Sequence, residues 1–309
     1  MRRRCFRVYS DYDGLQLEVL CIQPSREVTV KGVVQFSHGM CENKERYEPF
    51  MEFLCRKGFA CVIHDHRGHG NSVRSQADLG YFYGGQAESV ISDLNQITKM
   101  IKKHWRNTPV ILFAHSMGTL AARGYVKTHD DQIDVLILSG SPSKNPMLRL
   151  GKAIAHIEKA TKGERHRSSL LEMLSFRPYV KRFIKEKSRF AWCCSDPAVV
   201  TEYDASPLCG FTFTTDGYLA LFDLMQRAYS TRGWQCKNPD LPILFVSGAE
   251  DPCFTNTRRF KQSLDALRYQ GYWNVRGKLY KGLRHEILNE VGKEDIYEDI
   301  YRYILKNLA

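Results

Sequence analysis

No uninterrupted apolar stretch in this sequence approaches the roughly 20 residues of a membrane-crossing helix, which argues against a helical span. The opening segment MRRRCFRVYSDYDG is basic but has no apolar run behind it. It therefore does not read as a secretory signal, and a cytosolic protein is expected. The ten cysteines follow no framework spacing and include no C-x-x-C pair. Cys193 and Cys194 are adjacent, which suits neither an ordinary bridge nor a structural zinc site. Reduced thiols used as small core residues are the expectation. Internal repeats and low-complexity tracts are also missing. No nucleic-acid motif accompanies the basic residues, so no nucleic-acid partner is expected.

What is present is a chain of 309 residues, 43% hydrophobic and 26% charged, the composition of a soluble globular protein with a large core. Its net charge of +11 favours anionic surfaces. Lys and Arg crowd the stretch from Lys144 to Arg189, opposed only by Glu158, Glu164, Glu172 and Glu186. A solvated basic face and peripheral docking on an anionic membrane both account for that crowding.

The first segment reads as a hairpin, CFRVYS and LQLEVL joined by the turn DYDG. Strands then alternate with helices. GVVQFSHG (32–39), FACVIHD (59–65), PVILFA (109–114) and IDVLILSG (133–140) are buried strands. A helix near Tyr47 to Arg56 follows the first. Val90, Leu94, Ile97 and Ile101 mark a helical face between the second and third. MGTLAARGYVKTH is a helix after the third. This alternation predicts an α/β fold, a mostly parallel twisted sheet covered on both faces. From 141 to 235 the rhythm breaks into basic, aromatic, amphipathic helical pieces. The strand LPILFVSGAED (241–251), a helix with Phe260, Leu264 and Leu267, the strand YWNVRGKLY and a helix with Ile296, Ile300 and Ile304 then resume it. The expected organisation is a core of 1–140 and 236–309 with a helical cap inserted at 141–235. The sequence leaves the oligomeric state open.

The chemistry centres on AHSMG at 114–118. A serine between a strand and a helix, with small residues two positions either side, is held exposed beyond the sheet at a helix N-terminus. Ala114 stands where the usual motif has glycine. A serine hydroxyl needs a base, and the base an orienting carboxylate. SGAEDP puts Asp251 just past one strand and LRHE puts His285 in the loop after another, in the chain order Ser116, Asp251, His285. Each stands at a strand's C-terminal edge, where parallel sheets gather their sites. The Met40 amide in FSHGMCENKERY could join that of Met117 in holding an oxyanion. HDHRGH offers His64, His66 and His69, but not in the H-x-H-x-D-H spacing of a metallohydrolase, so no metal is expected. His115 reads as a packing or locally bonded residue.

These segments carry a resemblance across nearly the whole chain. HGMCENKERY (38–47), DHRGHGNS (65–72), HSMG (115–118), SGAEDP (247–252), LRHE (283–286) and DPAVVTEYDASPLCGFTFT (196–214) resemble the monoacylglycerol lipase and lysophospholipase group of α/β-hydrolases. The resemblance implies a Ser116–Asp251–His285 triad, an oxyanion hole of the Met40 and Met117 amides, a helical cap over an acyl tunnel, and no cofactor. It favours Asp251 over its neighbour Glu250, and makes the loop of Asp65 and Arg67 structural. Phe211, Phe213, Leu221 and Phe222 could line the acyl pocket or form the cap's own small core. The substrate expected is a single-chain lipid ester. Another acyl hydrolase on the same fold (aminopeptidase, thioesterase, short-chain esterase) and a non-catalytic lipid- or partner-binding module are the alternatives.

Overall fold

A computed structural model describes residues 1–308. Eight strands form one sheet: β1 (Arg2–Tyr9), β2 (Gln16–Gln23), β3 (Val33–Ser37), β4 (Ala60–His64), β5 (Val110–His115), β6 (Val135–Ser139), β7 (Ile243–Gly248) and β8 (Val275–Tyr280). Their order is β1-β2-β4-β3-β5-β6-β7-β8. The β1–β2 and β2–β4 pairs are antiparallel and all others parallel. The helices are α1 (Glu48–Arg56), α2 (Ala87–His104), α3 (Met117–His129), α4 (Leu148–Lys162), α5 (Ser169–Arg182), α6 (Pro197–Ala205), α7 (Thr215–Tyr229), α8 (Thr257–Arg268) and α9 (Lys293–Leu308).

Both faces of the sheet are buried, which is why the central strands read as continuous apolar runs. Leu112, Ala114, Leu138 and Phe245 point to one face and join the apolar sides of α2, α3, α7 and α8. Their neighbours Ile111, Phe113, Ile137 and Val246 point to the other, against α1 and α9. The edge strands β1 and β8 are the exceptions. β1 starts at Arg2 rather than Cys5, because an edge strand exposed on most of its length leaves no buried pattern to read.

Between β6 and β7 lie α4 to α7 and no strand of the sheet. They do not behave as one separate unit. α7 packs on α2, α3 and α4, and its Tyr218, Ala220 and Leu224 are fully buried in the core shared with β5 and α3. The C-terminal part of the 141–235 stretch is thus continuous with the helical layer of the sheet. The ends of β3, β5, β7 and β8 open on the same edge, and this brings together segments far apart in sequence.

Candidate active site

β5 ends at His115, and the chain reverses into α3 through Ser116, whose φ of 50° and ψ of −117° lie where side chains other than glycine are rarely found. That conformation is held by the Ser116 amide, which donates to Ser139 O on β6 at 2.9 Å. The small-residue requirement at the bend is lopsided. A Cβ on Gly118 would stand 2.1 Å from Ser37 O, so nothing larger than glycine fits there. Ala114 faces the core between β3 and β6, where its methyl is fully buried among apolar neighbours.

His285 is brought to the serine by the loop after β8. Its Nε2 lies 2.9 Å from Ser116 Oγ and its Nδ1 3.0 Å from Asp251 Oδ2. Asp251, wholly buried after β7, also accepts from Ser247 Oγ at 2.6 Å and the Cys253 amide at 2.8 Å. Burial opposes its charge, but His285 and these donors outweigh burial and hold the carboxyl below its ordinary range. Burial likewise works against a charged His285, yet the Asp251 carboxylate prevails and raises the imidazole above its usual value. Glu250 is exposed and makes no hydrogen bond to His285 among the described residues. His115 packs beside His285, ring centroids 4.7 Å apart, without bonding Ser116. Burial and the nearby His285 push it down to about 3, so it is a neutral packing group. Such an arrangement can draw the proton from a serine hydroxyl onto an imidazole and stabilise the resulting charge.

The backbone around Met40 and Met117 meets at the same cavity as Ser116. Among the described residues, neither amide donates to a protein group. Met117 is the first residue of α3, so its N–H has no partner within the helix. The turn carrying Met40 is fixed from below by Glu42, which accepts from the Gly39 amide at 2.5 Å and from Tyr47 Oη at 2.8 Å. Arg46 joins Glu42 at 2.8 Å and forks onto Glu286 at 2.8 and 2.5 Å. Two quoted motifs, HGMCENKERY and LRHE, therefore meet through one buried ion-pair cluster. Sequence reasoning quoted these residues but gave them no part. Trp192, whose ring lies 5.1 Å from that of His285, was missed altogether, with no signal beyond its lying in an aromatic segment.

The histidine rings of HDHRGH pack together with His38, but among the described residues their nitrogens do not form a ligand group. His66 Nε2 bonds Ser37 Oγ and His69 Nδ1 faces the Arg67 carbonyl, while burial pushes His64 and His69 down to about 4. Asp65 accepts from the amide and Nζ of Lys44, and Arg67 forks onto Asp93 and reaches Asp13, so that loop is braced internally. Among the described residues the one grouping of ligand-type atoms is Asp251, Cys253 and His285, where imidazole and carboxylate already bond each other.

The cavity at Ser116 measures about 590 Å³, within the ordinary range of small-molecule sites. Phe211, Leu221 and Phe222 line it, along with Leu120 and Met225. Phe213 does not. It is fully buried between His69, Phe82 and Tyr218, in the core proper. The expectation that it lines the pocket is corrected. Strand-like alternation across the segment sends Phe211 and Phe213 the same way, but only the first reaches the cavity wall.

The family model described as "Serine aminopeptidase, S33" matches residues 28–292. The chain belongs to this family of α/β-hydrolases. It is similar to a monoacylglycerol lipase of Mycolicibacterium smegmatis, 23% identical over 90% of this chain and 89% of that one. It is also similar to a probable lysophospholipase L2 of Haemophilus influenzae, 27% identical over 38% of this chain and 36% of that one. In three dimensions it matches a thermostable carboxyl esterase from Bacillus coagulans with a TM-score of 0.89, 23% identity and full coverage of both chains. It is an α/β-hydrolase similar to monoacylglycerol lipases and esterases.

Proposed function

We propose that this hydrolase cleaves the carboxylic ester of a single-chain lipid, a monoacylglycerol or a lysophospholipid, through an acyl-enzyme on Ser116. The observation that carries the reading is the unbroken path from Ser116 Oγ to His285 Nε2 at 2.9 Å and from Nδ1 to Asp251 at 3.0 Å, at the floor of an apolar cavity. His285 takes the hydroxyl proton as Ser116 attacks the ester carbonyl. The Met40 and Met117 amides receive the oxygen that becomes negative, and α3 adds the positive end of its dipole. The alcohol leaves with the proton from His285, and water repeats the sequence to free the fatty acid. Asp251 fixes the tautomer and stabilises the imidazolium. No step calls for a cofactor.

Phe211, Leu221, Phe222 and Met225 give the acyl chain an apolar wall, with residues 141–235 acting as the cap over it. Names of relatives that act on monoacylglycerols and lysophospholipids support the same class. Labelling with a fluorophosphonate probe tests the nucleophile directly. Wild type should label and Ser116→Ala should not, and equal labelling would refute the assignment. A panel of p-nitrophenyl esters beside aminoacyl amides tests the substrate class. Octanoyl should be preferred to acetyl, and amides should be poor substrates.

A further inference from the structure

A second cavity of about 440 Å³ lies beside the first, against α7 and α8. The two cavities share Lys144 and Arg259, so these cations stand on the partition between them. The partition is a built frame. The Ser143 amide and hydroxyl donate to Cys253 O at 3.2 Å and Phe254 O at 2.8 Å, which ties the loop of Lys144 to the turn before α8. Tyr229 Oη donates to Pro142 O at 2.6 Å and meets Ser263 Oγ, one turn beyond Arg259, at 2.9 Å. Neither Lys144 nor Arg259 makes an ion pair among the described residues. No acidic residue lines the cavity, whereas Thr231, Gln262 and Gln270 add side-chain donors.

The wall behind the cavity is positive as well. Arg123 is fully buried, with its guanidinium 4.0 Å from the centre of the Tyr229 ring, and none of its three side-chain nitrogens has a partner. Lys127, also buried, donates to Ser230 O and Arg232 O, both beside the cavity. Burial, with Arg227 and Arg123 near, pushes its ammonium down to about 8. Cations without counter-charges, on two sides of one aromatic wall, raise the local concentration of anions. Arg offers a fork and Lys a point charge, a pairing suited to a multiply charged oxyanion with several acceptors.

We propose that the second cavity is a phosphate-monoester subsite, held by Lys144 and Arg259 and adjoining the ester-cleaving cavity. Resting on the esterase reading, it makes the favoured substrate an acyl glycerol whose head carries a phosphate rather than a free hydroxyl. Two sources of that phosphate are distinguishable. Hydrolysis of 1-oleoylglycerol 3-phosphate and of 1-oleoylglycerol is compared in wild type, Lys144→Ala/Arg259→Ala and Arg259→Lys. Inorganic phosphate is titrated onto each by calorimetry, at ionic strength matched with chloride.

For a lipid headgroup, the kcat/KM ratio of phosphate-headed to neutral ester should exceed one by about tenfold in wild type. It should fall toward one in the double variant and recover in part with Arg259→Lys. For free phosphate, the ratio stays near one while phosphate binding is present in wild type and lost in the double variant. A ratio that the variants do not alter, together with no phosphate binding, overturns the subsite. Absence of turnover on both lipids and on p-nitrophenyl butyrate would instead sink the esterase reading, and the phosphate titration would still judge the cavity.

Discussion

At the scale of single residues, the site is governed by how little room there is around Ser116. Its positive φ is imposed by the reversal from β5 to α3, and Gly118 must let Ser37 O approach. Gly118→Ala should therefore destabilise the fold by about 1–3 kcal/mol, as overpacking does, and depress kcat by shifting the adjacent Met117 amide. Ala114→Gly should do neither to that extent. It adds backbone freedom in a strand, at roughly 0.5–1 kcal/mol, and leaves turnover near wild type. Thermal unfolding and ester kinetics on both variants check the asymmetry, and comparable losses in the two would refute it. Replacing Ser116 by Ala should cut turnover by roughly 10⁴- to 10⁶-fold without loss of fold. The pH dependence follows from His285. The base acts only when neutral, and Asp251 raises its pKa above the ordinary 6.5. Activity should accordingly rise with pH on a limb whose midpoint lies above 6.5, and Asp251→Asn should move that midpoint down while cutting kcat about 10⁴-fold. A limb centred below 6.5 in wild type would contradict the pairing.

Between elements, the cluster of Glu42, Arg46 and Glu286 links the turn after β3 to the loop after β8, and so sets the Met40 turn relative to the imidazole. Arg46 lies face-on to Tyr203 of α6 as well, 4.8 Å from the ring centre, so the inserted helices bear on the same cluster. Arg46→Met would leave two buried carboxylates without their cation and should cost about 3–5 kcal/mol, read from denaturant unfolding. Burial resists the charge of Glu286, but Arg46 overrides it and lowers the group from 4.5 to about 2. The sign follows: this carboxylate's stabilisation is complete above pH 4.5 and is lost as pH falls from there through about 2. Glu286→Gln should flatten the loss of melting temperature over that acid window, and an unchanged slope would remove Glu286 from the account. Much of the architecture was legible because buried parallel strands announce themselves as apolar runs, and because Ser116 and Asp251 each follow such a run, whereas His285 follows the largely exposed edge strand β8. The Arg46–Glu286 contact was not, since nothing local to either segment encodes a pairing across 240 positions. The placement of α7 escaped for a related reason. An apolar helix against a core and one around a pocket share the same period, and only the packing of α7 on α3 separates them.

At the scale of the whole molecule, charge and exposed apolar side chains gather in the stretch from Met147 to Arg189, on and around α4 and α5. Lys152, Lys159, Lys162, Arg165 and Arg189 are tied to carboxylates. Arg149, Arg177, Lys181, Lys185 and Lys187 are exposed and make no ion pair among the described residues. Interleaved with them, Met147, Leu150, Ile157, Met173, Leu174 and Ile184 are also exposed, Ile184 at 72%. Exposed apolar side chains this numerous in one stretch are a feature of interaction surfaces. Met147 and Leu174 belong to the lining of the cavity at Ser116 as well, so the apolar face continues into the mouth of the site. No described helix is long and apolar enough to cross a bilayer; we propose that α4 and α5 lie on its surface. The expected partner is an anionic lipid leaflet, which the unpaired cations attract at about 1 kcal/mol each near the surface while the apolar side chains enter the headgroup region. Binding to phosphatidylserine-containing vesicles should thus exceed binding to phosphatidylcholine alone and weaken steeply as salt rises. Leu150→Ser/Ile157→Ser, which alters exposed positions, should lower vesicle affinity at every salt concentration and slow hydrolysis of vesicle-borne ester, while hydrolysis of a water-soluble p-nitrophenyl ester stays at the wild-type rate. Equal binding to both vesicle types, unaffected by salt or by the substitutions, would reduce this stretch to a solvated basic surface.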